Sequence, residues 1–126
     1  MEIDQLYSQL AIIGERIDAA GDQIVTEEAT KTSLVLPFFT ALGYNIFDPT
    51  EVVPEFDAGL GEMKDKKADY ALQINGKPVM IVECKALSVK LSSKHINQLF
   101  DYFIRTEVKF ALLTNGDDYL VLLGDE

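Results

Sequence analysis

Residues 69–85 read DYALQINGKPVMIVECK and decide the fold, because they contain two apolar runs separated by Asn75-Gly76. An Asn-Gly pair between hydrophobic runs is the strongest short-range signal for a β-hairpin. The sequence therefore predicts strands at about 68–74 and 78–85. The second run is apolar on both faces, which is typical of a strand in the middle of its sheet.

Charged residues lie at the end of this hairpin that is away from the turn. Because strand residues alternate faces, Glu83 and Lys85 share one face, and Asp69 meets them if the polar faces align. Two carboxylates suit a hard cation such as Mg²⁺, and a nearby lysine could hold a phosphate or a water. A solvated strand end with a cross-strand ion pair is the ordinary alternative. The ends of central strands are where α/β proteins bind ligands, which favours a metal site.

Length and composition restrict the class of protein. A chain of 126 residues, 48% of them hydrophobic, predicts one domain with a real core. The sequence contains no run of about 18 apolar residues, so it does not predict a membrane-spanning helix, and its first residues do not resemble a signal peptide. Cys84 is the only cysteine and is interpreted as a small core residue. With His95 the only histidine, a Cys/His zinc site or a Ser-His-Asp triad is unsupported. We expect a cytoplasmic protein.

The net charge of −10 opposes a simple nucleic-acid-binding protein, since phosphate contacts dominate such affinity. Basic residues nevertheless cluster on both sides of the hairpin, at Lys64, Lys66, Lys67, Lys85, Lys90 and Lys94. If the hairpin forms, both groups lie near the same end. An acidic body with a basic rim and a bound cation could hold a phosphodiester, weakly unless other domains help.

Helical patterns occupy the first third of the chain. Apolar residues at spacings of three and four predict a helix from Ile3 to near Gly21, for core packing or, less well supported, a dimer seam. A second helix is predicted to begin at the cap Thr26 and to end at Gly43. Pro37 lies inside it and should kink or split it.

The remaining elements complete a mixed sheet with helices on it. Residues 51–56 predict a strand that Pro54 restricts to an edge or a bulge, and 57–67 predict a mobile loop. A helix at about 93–106 follows the hairpin, with a buried stripe of Ile96, Leu99, Phe100 and Phe103 and with Gln98 and Tyr102 on one flank of that stripe. Strands are expected at 110–114 and 119–123. The fold class is therefore α/β, in the order α-α-β-β-β-α-β-β. We expect residues 1–126 to form a single domain from the N-terminal part of a longer protein.

This order of elements resembles the PD-(D/E)xK nuclease superfamily, with the motif at Ala68-Asp69 and Glu83-Cys84-Lys85. More narrowly, the chain is similar to the N-terminal nuclease domain of type I restriction enzyme R subunits and their stand-alone relatives. The strings that carry the similarity lie within residues 27–123: LPFF at 36–39, LGY at 42–44, KADY at 67–70, IVECK at 81–85, QLFDY at 98–102 and LTNG at 113–116. Ala68 replaces the proline usual before the aspartate. The resemblance implies a restriction-endonuclease-like sheet of about five strands.

The resemblance also implies roles for the charged residues. Asp69 and Glu83 would ligate Mg²⁺ or Mn²⁺, with the carbonyl oxygen of Cys84 as a further ligand. Lys85 would orient or deprotonate the attacking water, or stabilise charge on the phosphate. A lysine near a cation is disfavoured in its charged form, and no histidine base is needed.

Three further residues enter through the resemblance. Gln98 and Tyr102 match a Gln-x-x-x-Tyr element that supports the nuclease centre in relatives, although Gln98 also fits a solvated helix position. Glu28 matches an acidic residue on the early helix of related nucleases. Glu27 is an equal candidate, and a favourable first-turn charge is the simpler explanation for either.

The leading hypothesis is a Mg²⁺-dependent DNA endonuclease domain of a restriction system. A non-catalytic module that keeps the fold for DNA binding or assembly is the rival. A third possibility is a nuclease half that needs a translocating ATPase domain. No Walker motif occurs in the sequence, so such a motor would be a partner or another domain.

Overall fold

A computed structural model describes residues 2–59 and 66–124, and its elements follow the predicted order. The helical elements are α1 (Ile3–Ala20), a 3₁₀ turn (Gly21–Gln23), α2 (Glu27–Thr30), a π-helical turn (Lys31–Val35), α3 (Leu36–Ala41) and α4 (Ser93–Phe103). The strands are β1 (Val52–Phe56), β2 (Ala68–Ile74), β3 (Lys77–Cys84), β4 (Phe110–Thr114) and β5 (Tyr119–Leu123). Residues 60–65, which include Lys64 and much of the predicted loop 57–67, lie outside the described residues.

The strands form one five-stranded sheet in the order β1-β2-β3-β4-β5. β3 and β4 pair in parallel, and the other neighbours are antiparallel. The predicted mixed sheet is thus confirmed, with β3 at its centre and β1, which contains Pro54, at an edge. Asn75 and Gly76 have φ values of 53° and 75°, as a tight hairpin turn with two left-handed residues requires.

Helices cover both faces of the sheet. The π-helical turn and α3 pack on one face, in a cluster of Val35, Phe39, Val52, Tyr70, Leu72, Val82, Cys84 and Leu112. α4 packs on the other face, in a cluster of Ala68, Ile81, Leu99, Tyr102, Phe103, Ala111 and Leu113. β3 therefore contributes to both clusters, which explains its continuous apolar run.

A π-helical turn that ends at Val35 divides the second helical region just before Pro37. Proline has no N–H, so it cannot donate to the carbonyl of Ser33 four residues earlier. Arg16 supplies the missing donor from α1, with Nη1 lying 2.8 Å from the Ser33 oxygen. The N–H of Leu36 donates to Lys31 five residues back, which defines the π-helical turn. The predicted interruption is confirmed, and the predicted cap is present, because Thr26 Oγ1 accepts the N–H of Ala29.

Two predicted apolar stripes differ from the observed packing. In α1, Ile13 is buried while Ile3 is 81% exposed, because only the second half of the helix reaches the core. In α4, Phe100 is 47% exposed and Tyr102 is buried in its place. The tyrosine ring can be buried because its hydroxyl finds backbone partners at the end of β1 and just beyond it.

Within the described residues, no helix has the length and apolar character needed to cross a bilayer.

Candidate active site

The ends of β2 and β3 bring the two predicted carboxylates together. Tyr70 pairs with Val82, and the same register places Asp69 opposite Glu83. The N–H of Cys84 donates to Asp69 Oδ2 over 2.7 Å, which fixes the aspartate against the end of β3. The side chains of Asp69 and Glu83 are 19% and 31% exposed, so solvent reaches both only in part.

The close approach of the two carboxylates affects the pKa of Glu83. Burial, followed by the neighbouring charge of Asp69, raises the pKa of Glu83 from 4.5 to about 7. The nearby ammonium group of Lys85 opposes this rise in pKa but does not cancel it. Glu83 therefore holds its proton more tightly than an exposed glutamate, chiefly because it is buried and also because the charge of Asp69 lies nearby.

Lys85 lies next to this pair, as the alternation of strand residues predicted. Its Nζ is 3.9 Å from Glu83 Oε2, and its side chain is largely buried. Its backbone N–H donates to the carbonyl of Thr114 over 2.9 Å, so the junction with β4 fixes the residue just beyond β3. Asp69, Glu83 and Lys85 thus converge at one end of the hairpin.

Lys31 completes the site and was not found by sequence reasoning. Its Nζ lies 3.0 Å from Asp69 Oδ1 and only 13% of its side chain is exposed. Burial alone would lower the pKa of Lys31, but the hydrogen bond and charge of Asp69 raise it above its ordinary value, with a smaller contribution from Glu28. Spacing predicts a local pair between Lys31 and Glu27 or Glu28, whereas the contact with Asp69 depends on the tertiary fold.

The acidic residues of α2 reach the site only through Lys31. Glu28 Oε1 lies 3.2 Å from Lys31 Nζ, and Glu27 Oε1 lies 3.8 Å from it. The side chain of Glu28 is 82% exposed, so its contact is easily exchanged for water. Both candidates are therefore near the site, with Glu28 closer to the lysine.

A cleft of about 60 Å³ opens beside Glu83 and Lys85 and is basic in character. Its walls are Lys66, Lys67, Ala68, Glu83, Lys85, His95, Gln98, Leu99 and Tyr102. His95 was not predicted to belong to the site. Its Nδ1 accepts the N–H of Ser92 at the start of α4 over 3.2 Å, which holds the ring at the wall of the cleft. The cleft concentrates positive charge on a chain whose net charge is −10.

The two residues of the Gln-x-x-x-Tyr element lie in different environments, one exposed and one buried. Gln98 is exposed and lines the cleft, so it can contact a ligand. The Tyr102 hydroxyl accepts the N–H of Ala58 at 3.3 Å and donates to the Phe56 carbonyl at 3.4 Å. Burial raises the pKa of Tyr102. The tyrosine therefore fastens the segment after β1 to the wall of the cleft.

The buried thiol of Cys84 belongs to the core, as predicted. Burial and, secondarily, the charge of Asp69 raise the pKa of this thiol, which opposes a role as a nucleophile. The contribution of Cys84 to the site is through its backbone.

The turn after β4 holds the surrounding segments in place. Asn115 is buried, and its Nδ2 donates to the Val89 carbonyl beyond β3 over 2.9 Å. Thr30, at the end of α2, accepts the N–H of Leu87 at its hydroxyl, also over 2.9 Å. An added Cβ at Gly116 would lie 3.2 Å from the Thr30 side chain, so this turn packs closely against α2. The LTNG string thus has a structural explanation, because it joins α2, β4 and the segment after β3.

The donor set suits Mg²⁺ or Mn²⁺ because both carboxylates are hard oxygen ligands. Within residues 2–59 and 66–124, no group of three or more His, Cys, Asp or Glu side chains is arranged to hold a metal. Two carboxylates are compatible with Mg²⁺, which usually keeps several of its waters.

Comparison with known proteins identifies one family. Residues 26–126 match the family described as type I restriction enzyme R protein N terminus. The match includes every residue of the site and excludes α1. Curated protein sequences and solved structures give no significant match.

Proposed function

Because the chain belongs to the family of type I restriction enzyme R protein N-terminal domains, we propose that it is a metal-dependent DNA endonuclease domain of the PD-(D/E)xK type. The observation that carries the proposal is the convergence of Asp69, Glu83 and Lys85 at the ends of β2 and β3, beside a basic cleft. DNA and the other components of a restriction system are the proposed partners.

Asp69 and Glu83 would hold Mg²⁺, with Mn²⁺ as a substitute and the Cys84 carbonyl oxygen as a further ligand. When bound, the cation supplies neutralisation of phosphate charge and a more acidic water. The raised pKa of Glu83 supports this assignment, because a bound cation would compensate both the burial of this carboxylate and its repulsion by Asp69.

The residues of this chain have separate tasks in the hydrolysis. Water adds to phosphorus, the bond from phosphorus to the leaving oxygen breaks, and that oxygen gains a proton. Lys85 would hold the attacking water or donate to a phosphate oxygen, and the distance of 3.9 Å between its Nζ and Glu83 Oε2 supports this role. Lys66, Lys67 and Gln98 line the cleft and would position the phosphodiester backbone.

The test is cleavage of plasmid DNA by the purified chain, and by the R subunit that contains it, with Mg²⁺ or with EDTA. Alanine at Asp69, Glu83 or Lys85 should abolish Mg²⁺-dependent cleavage while circular dichroism shows an unchanged fold. Lys77→Ala is the matched control, because Lys77 is exposed at the opposite end of β3. Full activity in Glu83→Ala would refute the mechanism.

A non-catalytic module for DNA binding or assembly is the second candidate. The observation that favours it is that both oxygens of Asp69 already contact donors of the protein, Lys31 Nζ and the Cys84 N–H. Calorimetry with Mn²⁺ separates the two functions. Binding that depends on Glu83 favours the endonuclease, and no detectable binding favours the module.

A further inference from the structure

The carboxylate of Asp69 is held by an ammonium group of the chain itself. Lys31 Nζ lies 3.0 Å from Oδ1, while Oδ2 accepts the Cys84 N–H at 2.7 Å. A divalent cation that used Asp69 would have to approach this occupied carboxylate. Building on the proposed metal site, we propose that Lys31 is an internal competitor for the cation, and that cation binding displaces its ammonium group from Asp69.

The fold holds the backbone of Lys31 beside the end of β2, so that its ammonium group always lies within reach of Asp69. The preceding residue, Thr30, is fully buried, and its hydroxyl accepts the N–H of Leu87. The Lys31 ammonium group also lies 5.9 Å from the centre of the Tyr70 ring, close enough for a cation–π contact. Both contacts hold the lysine beside the end of β2.

The π-helical turn sets the direction from which Lys31 approaches. One extra residue in a helical turn rotates the residues before it by about 100° relative to the residues after it. Lys31 begins this turn, whereas the buried residues Val35 and Phe39 lie at its end and beyond it. The turn coincides with the break in hydrogen bonding at Pro37, which cannot donate to Ser33 and for which Arg16 compensates. The direction in which the Lys31 side chain leaves the helix therefore cannot be obtained by counting regular helical turns back from Val35 and Phe39.

An alternative position for the displaced ammonium group is already present. Glu28 Oε1 lies 3.2 Å from Lys31 Nζ, and Glu27 Oε1 lies 3.8 Å from it. A small movement away from Asp69 would leave the lysine paired with α2. Lys31 is therefore a positioning residue with two alternative partners, Asp69 without a cation and the α2 carboxylates with one.

The experiment is calorimetric titration of the full chain with Mn²⁺ at about pH 8, comparing wild type with Lys31→Met. Methionine keeps a long apolar side chain and removes the charge. We expect Lys31→Met to bind Mn²⁺ about tenfold more tightly, equal to about 1.4 kcal/mol. A purely structural role for Lys31 predicts weaker or unchanged binding, because damage to the site does not improve it.

Lys77→Met is the matched control, since it removes the same charge at the far end of β3. It should bind Mn²⁺ like the wild type, which separates the local effect from the change in net charge. Lys31→Arg keeps the positive charge and is the variant to titrate if Lys31→Met does not fold. Arginine should leave Mn²⁺ binding equal to wild type or weaker, and tighter binding would overturn the proposal.

The possible outcomes separate the proposed metal site from the proposed competition by Lys31. Tighter binding in Lys31→Met that disappears in a double variant with Glu83→Gln supports both the metal site and the competition. Binding by wild type that Lys31→Met leaves unchanged or weakens overturns the competition and retains the metal site. No detectable Mn²⁺ binding by wild type, Lys31→Met or Lys31→Arg overturns both.

Discussion

Glu83→Gln should make the metal-free protein more stable at high pH while changing little at low pH. In the wild type, folding raises the pKa of Glu83 from 4.5 to about 7 because of burial and the charge of Asp69. The folded state therefore binds the proton more tightly than the unfolded state. The stabilisation from this group is complete below about pH 4.5 and is lost as the pH rises through about 7.

The magnitude follows from the size of this change in pKa. One pKa unit corresponds to about 1.4 kcal/mol, so a rise from 4.5 to about 7 corresponds to about 3 kcal/mol. Solvent reaches 31% of the Glu83 side chain, and its screening reduces the expected effect to about 2 kcal/mol. Glutamine is similar in size, carries no charge at any pH and can still hydrogen bond to Asp69.

Urea unfolding at pH 5 and pH 8, in buffer that contains EDTA, measures the effect. The free energy of unfolding of Glu83→Gln should be close to that of wild type at pH 5 and about 2 kcal/mol higher at pH 8. Glu15→Gln removes the same charge from the exposed face of α1 and controls for net charge. A constant difference between Glu83→Gln and wild type across this pH range would refute the reasoning.

Two further predictions concern the turn and helix that support the site. Gly116→Ala should lower the free energy of unfolding by about 3 kcal/mol, because φ is +88° and an added Cβ would lie 2.6 Å from Leu34 Cδ1. Urea unfolding measures this change, and a loss below about 1 kcal/mol would contradict the prediction. Thr30→Val should lower the free energy of unfolding by about 2 kcal/mol, since the isosteric change leaves the N–H of Leu87 without its acceptor. Thermal unfolding tests this prediction, with Thr50→Val at an exposed threonine as the control. Equal melting temperatures for the two variants would contradict it.

Local sequence patterns were sufficient for the elements but not for the hairpin register. Asn75-Gly76 determines the turn, but regular pairing outward from Ile74 and Lys77 would place Asp69 opposite Val82. The irregularity between Leu72 and Gln73 shifts the register by one residue, so that Asp69 lies opposite Glu83. The continuous apolar run of β3 correctly indicated a central strand. The turn and the apolar run depend on contacts between neighbours in sequence, so periodicity can reveal them, whereas the register shift has no such signal.

Contacts between distant segments could not be predicted in this way. Lys31 is separated from Asp69 by β1 and the residues on either side of it, and the π-helical turn shifts its direction from regular helical spacing. Tyr102 was expected on the flank of the α4 stripe, yet it is buried because Phe56 and Ala58 satisfy its hydroxyl. In both cases a polar group found a partner that only the assembled sheet provides.

The raised pKa of Glu83 and the ion pair of Lys31 both involve partly buried carboxylates that lie close together. Protonation relieves one carboxylate, and an ammonium group compensates the other. A solvated strand end would not need either device, because water would screen both charges. Apolar residues at these two positions would pack with less electrostatic cost, since paired charges in partly buried sites seldom improve stability. These two features therefore support the proposal of a cation site over the alternative of an ordinary cross-strand ion pair.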